Sequence, residues 1–405
     1  MKILVINSGS SSLKFQLLED KKMLCKGMVD GIGLKTCQFH LSAEESKKTL
    51  NVNQNISCND HHEALDLVLA SMVKNNIIPS LKVIDAIGHR VVHGGEKYHQ
   101  AVLITPEVSK NINKLSELAP LHNPPNLKGI EACHKLLKDV PQVAVFDTSF
   151  HGTIPEKAYL YALPYELYSK DSIRRYGFHG TSHQYVSEQA IKLLGKKRGS
   201  AKTKIVSCHL GNGSSVCAIV NGKSVDTSMG LTPLEGIPMG TRSGDIDPAI
   251  IFHLLKQHKI SAEQLENLLN KESGLKGISG ISSDMRTIWA ATKKSGPQKK
   301  RAALSLQILA YRIAKYIGSY AATMNGIDAI IFTAGIGEHA YYIRRDVCEY
   351  LKFLGVEIDN AKNQKDAITI SKPKSKIKVF VIPTNEEQQI AKETMKILKN
   401  RSRGK

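Results

Sequence analysis

The chain has 405 residues, 41% of them hydrophobic and 23% charged, which is enough to bury a core and excludes a disordered or collagen-like chain. Its 56 Lys and Arg against 37 Asp and Glu leave a formal charge of +19, which suits nucleic acid, an acidic membrane surface or a small polyanion, and composition does not separate the three. Seven scattered cysteines without a CxxC exclude a disulfide framework or a zinc site, and no apolar run approaches the roughly 18 residues of a membrane span.

At about 150 residues per domain, the length suggests two or three domains. Residues 3–6 read as a strand that turns polar at Asn7 and cationic at Lys14, too soon for a signal peptide, so a cytoplasmic location is expected. Further strands are read at residues 83–92, 143–146, 205–208, 216–220, 329–332 and 379–382. Between them, Leu127, Ile130, His134 and Leu137 share one helical face, and Gly195 closes a helix through residues 191–194. Asp247-Pro248 opens another helix, the longest is expected over about 301–324, and Thr384 with Glu387 reads as a capping box for the last. Alternating strands and helices indicate an α/β protein.

One feature recurs at half the chain length. Residues 3–6 enter Asn7-Ser8-Gly9-Ser10-Ser11-Ser12 and leave as a second strand; residues 205–209 enter Gly211-Asn212-Gly213-Ser214-Ser215 and do the same. A repeat this long suggests two related domains with a cleft between them. The expected division is 1–150, joined by a returning C-terminal helix at 384–405, and 151–383.

The chemistry is carried by glycine and arginine. Gly-rich turns let backbone N–H groups approach a phosphate, and there are three: residues 7–12, 211–215 and Gly335-Ile336-Gly337-Glu338. Asn221-Gly222-Lys223-Ser224 resembles the tail of a P-loop, but Cys217 stands where its first glycine belongs. A dinucleotide fold is a rival, since Gly335, Gly337 and Ala340 fit GxGxxG/A and Glu357 lies near the acidic position. It leaves the other two turns and the arginines unused. There is no GxSxG elbow, and the pairs His89/His93 and His179/His183 lack the HExxH glutamate; in a strand the first pair spans roughly 13 Å, too far for one metal. Arg90, Arg174, Arg175 and Arg242 each stand near glycine, where a planar fork clamps carboxylate or phosphoryl oxygens or forms a structural ion pair. Asp147 ends a strand, where α/β proteins place catalytic groups, and Glu386 sits where a helix N-terminus favours an acid.

Together these stretches resemble the acetate kinase family nearly end to end. The likeness runs through Asn7 to Lys14, His89-Arg90-Val91-Val92-His93-Gly94-Gly95, Pro120-Leu121-His122-Asn123-Pro124-Pro125, Phe146-Asp147-Thr148 and Arg174 to His183. It continues through His209 to Ser215, Gly240 to Pro248, Ser282 to Arg286, Thr333 to Glu338 and Pro383 to Glu387. The resemblance implies two domains of the actin-like ATPase (ribonuclease H-like) type, a cleft, a homodimer, and reversible transfer from ATP to acetate giving acetyl phosphate and ADP. It implies Asn7 and Glu386 for Mg²⁺ or Mn²⁺, and Lys14, His209, Leu210, Gly211, Asn212 and Gly213 for the phosphates. Asp284, Met285, Arg286, Gly335, Ile336, Gly337, Glu338 and His339 would hold the nucleoside. Arg90 and Arg242 would grip acetate and the moving phosphoryl group, with His179 stabilising its charge and Asp147 orienting the reactants. Val92, Leu121, Phe178 and Pro233 would surround the methyl group.

Acetate is already ionised near neutral pH, so no general base is needed to create the nucleophile. A methyl pocket separates substrates differing by one methylene by only about 1–3 kcal/mol, so propionate or butyrate kinase is the alternative within the family. The chain departs from the family pattern at Gly152, at His339 where asparagine is usual, and at Gln388. Most of the excess charge lies outside these motifs, in residues 196–198, 293–294, 299–301, the alternating lysines 372–378 and the C-terminal tail, without the interleaved aromatics of a single-strand binding platform. No nucleic-acid or membrane partner is expected.

Overall fold

The computed structural model describes residues 1–45, 48–120, 122–196 and 203–403. The chain divides into two compact units, Met1–Gly152 with Asn385–Lys405, and Thr153–Thr384.

The first unit holds β1 (Lys2–Ser8), β2 (Ser12–Glu19), β3 (Lys22–Asp30), β4 (Cys37–Glu45), β5 (Lys48–Ile56), β6 (Ala86–Val91), β7 (Val102–Leu103) and β8 (Gln142–Phe146). They form one sheet in the order β5-β4-β3-β2-β1-β6-β8-β7. β1, β6 and β8 run parallel, and β1 to β5 form an antiparallel meander. The unbroken apolar run of β1 follows from burial on both faces. Leu4 and Ile6 pack with helices α1 (His61–Lys74) and α2 (Asn123–Leu136) on one side; Ile3 and Val5 pack with Ile390 and Ala391 of the C-terminal helix (Glu386–Arg403) on the other. Gly88 permits that last contact, because a Cβ there would stand 2.6 Å from Thr394 Oγ1 and 2.8 Å from Ile390 Cγ2.

The second unit holds β9 (Lys204–Leu210), β10 (Ser214–Val220), β11 (Lys223–Thr227), β12 (Ala329–Thr333) and β13 (Lys378–Val381), ordered β11-β10-β9-β12-β13. β9, β12 and β13 are parallel, while β9, β10 and β11 alternate in direction. This order and sense repeat β3-β2-β1-β6-β8 strand for strand, so the doubled strand-turn-strand seen in the sequence marks two related halves. Around the sheet lie α3 (Gly180–Leu193), α4 (Ala249–Gln257), α5 (Met285–Ala291), α6 (Pro297–Thr323), α7 (Ala334–His339) and α8 (Tyr341–Tyr350). α6, the long helix expected near 301–324, drives Leu306, Leu309, Ile313 and Ile317 into the core against Val206, Ile330 and Phe332.

Local expectations needed correction in several places. The strand read at 83–92 starts only at Ala86, because residues 81–83 form a 3₁₀ turn and Asp85 instead accepts the Lys2 backbone N–H on its side chain at 2.7 Å. Strands β3 to β5, in which apolar residues alternate with polar ones and β5 carries three asparagines, were not anticipated. His134 shares a helical face with buried Ile130 yet is exposed. The last helix is capped by Asn385, whose Oδ1 accepts the Gln388 N–H at 2.9 Å; Thr384 turns its hydroxyl to Ser182 Oγ at 2.7 Å, so the Thr384–Glu387 capping box does not form. The dinucleotide fingerprint also falls away, since β10 and β11 make the sheet mixed and Glu357 faces Lys372 and Lys374 at 3.7 and 3.5 Å.

Candidate active site

In the first unit the C-terminal ends of the parallel strands gather the polar residues. Asn7 ends β1 and pairs across the hairpin with Lys14 of β2. Arg90 lies near the end of β6, and Asp147 follows β8 directly. Arg90 Nε donates to both Asp147 carboxylate oxygens at 3.1 Å each, Nη2 donates to Oδ2 at 2.6 Å, and Nη1 reaches Asn7 Oδ1 at 3.5 Å. Asp147 is 1% exposed and the Arg90 side chain 22%, so the pair has little water to screen it while Arg90 keeps some access to solvent. Burial works against the Arg90 charge, but Asp147 and then Glu386 outweigh it and shift the guanidinium upward.

Glu386 opens the C-terminal helix, and its Oε1 is buried without a hydrogen-bond partner. Burial pushes its carboxyl up to about 7; Arg90 and Lys14 pull it down, whereas Asp147 and Glu387 raise it further. An unpaired buried carboxylate oxygen is costly, and a hard cation is the partner that would satisfy it. Among the described residues no group of three or more His, Cys, Asp or Glu could hold a metal, so a cation beside Glu386 would draw its other ligands from amide oxygens such as that of Asn7, from phosphate and from water.

Two asparagines fix the loop after β6: Asn123, within the 120–125 stretch, and Asn126, which had no signal of its own. Asn126 Oδ1 accepts the Val92 N–H at 3.0 Å while its amide donates to Ser8 O at 2.7 Å; Asn123 Oδ1 accepts the His93 N–H at 3.1 Å. His89 Nε2 bonds Gln142 Oε1 at 2.7 Å, and burial pushes His89 and His93 down to about 4, which makes them neutral structural groups.

The second unit contains a cavity of about 520 Å³. Gly211, Asn212, Asp284, Met285, Arg286, Gly335, Ile336 and His339 line it as expected, joined by Ser283, Ala340 and Tyr342. Tyr342 was missed; it stacks on Trp289 with centroids 3.8 Å apart, offering a flat apolar wall. Asp284 caps α5 by accepting the Arg286 N–H at 2.7 Å, and Arg286 holds its carboxyl down to about 2. The cavity is floored by α7, and α7 is tied down by Arg344, fully buried, whose Nη1 donates to Gly337 O at 2.9 Å and Glu338 O at 2.7 Å. Other expected contacts point elsewhere. Leu210 is 0% exposed in the core, Gly337 abuts the Phe332 backbone, and Glu338 Oε1 accepts the Thr384 N–H at 3.2 Å. His339, exposed over 72% of its side chain, lies 3.4 Å from Asp366 Oδ2.

Beside that cavity the 211–215 turn meets an imidazole and a guanidinium. A Cβ on Gly213 would stand 3.4 Å from both His179 Nε2 and Arg242 Nη1, so glycine keeps the turn open at the point the two groups share. Arg174 and Arg175 take structural roles instead. The Arg174 guanidinium lies over the Tyr159 ring at 3.5 Å, and Arg175 binds Glu235 at 2.6 Å and the Thr227 carbonyl at 2.8 Å. Of the apolar set, Val92 is 8% exposed in the first unit, Phe178 is 2% exposed and Pro233 partly buried in the second, and Leu121 lies outside the described residues. Lys197 and Arg198 of the basic clusters also lie outside them.

The sequence pattern of the acetokinase family matches residues 2–392. The chain belongs to that family. It is 54% identical over 408 residues to the acetate kinase of Thermotoga maritima, covering 98% of this chain and 99% of that one. The crystal structure of Porphyromonas gingivalis acetate kinase superposes with a TM-score of 0.91 at 45% identity, covering 98% of this chain and 99% of its own. A propionate kinase from Francisella tularensis superposes with a TM-score of 0.90 at 42% identity, over 98% and 99% of the two chains. The chain is therefore a kinase, a phosphotransferase of the acetokinase family, with its two-sheet actin-like fold. No described helix is long and apolar enough to cross a membrane.

Proposed function

We propose that the enzyme transfers a phosphoryl group reversibly between ATP and acetate in a single in-line step, giving ADP and acetyl phosphate. The observation that carries this reading is the Arg90–Asp147 fork beside the orphaned Glu386 oxygen, a cationic clamp and a vacant hard ligand at the ends of parallel strands. Both Asp147 oxygens accept from Arg90 and aim the guanidinium, whose solvent-accessible part takes the acetate carboxylate. Arg242 and His179 stabilise charge on the moving phosphoryl oxygens, as a loose transition state requires. The 211–215 turn and Lys14 meet the remaining phosphates, and the cavity over α7 takes the nucleoside. Asn7 and Glu386 would hold Mg²⁺, with Mn²⁺ as a substitute; the cation supplies neutralisation of phosphate charge.

Acetate enters as the anion, so no residue is assigned as general base. Val92, Phe178, Pro233 and Leu121 are assigned to the methyl group. The assay is acyl phosphate captured as hydroxamate, with acetate, propionate and butyrate each supplied with ATP and Mg²⁺. Acetate gives the highest kcat/KM, and Val92→Ala moves the ratio toward propionate; no acyl phosphate from any acid would defeat the reading. The homodimer follows the family, and the surface assigned to it is α4, an apolar helix with no buried residue that leaves Ile250 42% and Phe252 61% exposed. A cytoplasmic location goes with this metabolic role.

A further inference from the structure

Behind His179 and the 211–215 turn, which the transfer step uses, the second unit buries His183 and Ser207, which it does not use. His183, fully buried in α3, sits between two serines: its Nδ1 is 3.0 Å from Ser207 Oγ and its Nε2 is 2.8 Å from Ser215 Oγ. The same Ser215 oxygen lies 2.8 Å from His179 Nδ1. His179 precedes α3 in a left-handed backbone conformation, φ 55°, which a β-carbon makes costly and which here turns its ring onto the helix side that bears His183, four residues on. The ring stacks on His209 at 4.1 Å, and its Nε2 reaches the open Gly213 turn together with Arg242. Titratable or charged groups facing it include His183 through Ser215, His209 from β9 and Arg242 from its loop.

A hydroxyl has one proton, so Ser215, placed between two ring nitrogens, donates to one and accepts from the other. If His183 carries its proton on Nε2, Ser215 accepts it and turns its own O–H to His179 Nδ1. Neutral His179 then holds its proton on Nε2, facing the turn. In the reverse arrangement Ser215 donates to His183, His179 must donate from Nδ1, and its Nε2 meets an incoming oxygen bare unless the ring becomes charged beside Arg242. That charge is disfavoured by the neighbouring guanidinium.

We propose that His183 is a positioning residue which, through Ser215, sets the tautomer of His179 so that an Nε2–H points at the phosphoryl oxygens. The proposal rests on the reading of His179 as the group that meets those oxygens. Ser207 completes it by donating to His183 Nδ1.

Two amide replacements separate the roles, because glutamine places its amide near the His183 Nε2 position and asparagine near Nδ1. His183→Gln retains kcat within about threefold, whereas His183→Asn and Ser215→Ala each lose tenfold or more, at about the cost of one misdirected hydrogen bond, with KM for ATP little changed. Ring ¹⁵N shifts in histidine-labelled enzyme report the Nε2–H form of His179 in the parent and an Nδ1–H population in the two damaged variants. Equal kcat for the Gln and Asn variants, or an Nδ1–H ring in the parent, overturns the relay. Should His183 variants fail to fold, the His179 ring ¹⁵N shifts in Ser215→Ala decide: an unmoved Nε2–H form overturns the relay even if activity falls through the phosphate turn. His179→Ala is the control: full activity there sinks the reading of His179 and the relay with it, while lost activity with indistinguishable Gln and Asn variants sinks the relay only.

Discussion

Glu386→Gln tests the metal assignment through stability as well as activity. The carboxyl is pushed up to about 7 in the folded chain from an ordinary 4.5, first by burial. Below about pH 4.5 it is protonated whether folded or not and contributes nothing. As pH rises to about 7 the unfolded chain releases the proton while the folded chain keeps it, so stability falls across that window by about 1.4 kcal/mol per pH unit and stays lower above it. The full penalty approaches about 3 kcal/mol without a cation, less whatever water reaches the group. Glutamine has the same shape and no charge. In EDTA at pH 8 the variant should therefore melt several degrees above the parent, and at pH 5 the gain should shrink to about a quarter of that. Mg²⁺ should raise the parent's Tm at pH 8 and leave the variant's unchanged, and the variant should lose turnover. A variant less stable than the parent at pH 8 in EDTA, or a gain equal at both pH values, would refute the reasoning.

Asp147→Asn keeps one acceptor for Arg90 but removes the charge that aims it, so kcat with acetate should fall at least about tenfold and KM for acetate rise, toward the 3–5 kcal/mol of a broken buried pair; full turnover in steady-state kinetics counts against the positioning role. Arg344→Met strands the Gly337 and Glu338 carbonyls and the Asn363 side chain, for about 3 kcal/mol of stability and a higher KM for ATP. Denaturant melts combined with ATP titration check it, and lost stability with an unchanged KM for ATP would separate Arg344 from the nucleoside cavity. Phe252→Glu should convert a dimer to a monomer in sedimentation, since a carboxylate replaces an apolar side chain that is 61% exposed in the single chain.

Much of the site was legible because phosphate chemistry restricts residue choice. Glycine at 211, 213 and 335, arginine at 90 and 242, and an acid after a buried strand are patterns a reader can weigh without coordinates. Glu386 shows where that reading ends. An acid at a helix start is ordinary, and only the orphaned buried oxygen and the neighbouring Arg90 and Lys14 set it apart. Arg174 and Arg175 show that the same sequence signal has two outcomes, since these arginines take the structural alternative, one over a tyrosine ring and the other paired with Glu235 and backbone carbonyls.

The sequence by itself determined the alternation of strands and helices, the doubled strand-turn-strand and the family, because apolar period and turn chemistry act over a few residues. Tertiary structure decided what depends on distant partners. The meander β3 to β5 forms because each strand pairs with the next, Asn385 rather than Thr384 caps the last helix because Thr384 is engaged by Ser182 about two hundred residues away in sequence, and Ser215 lies between His179 and His183 because β9, the neighbour of β10, packs against α3. Burial, which no local pattern encodes, is what turns Glu386 from a helix start into a candidate ligand.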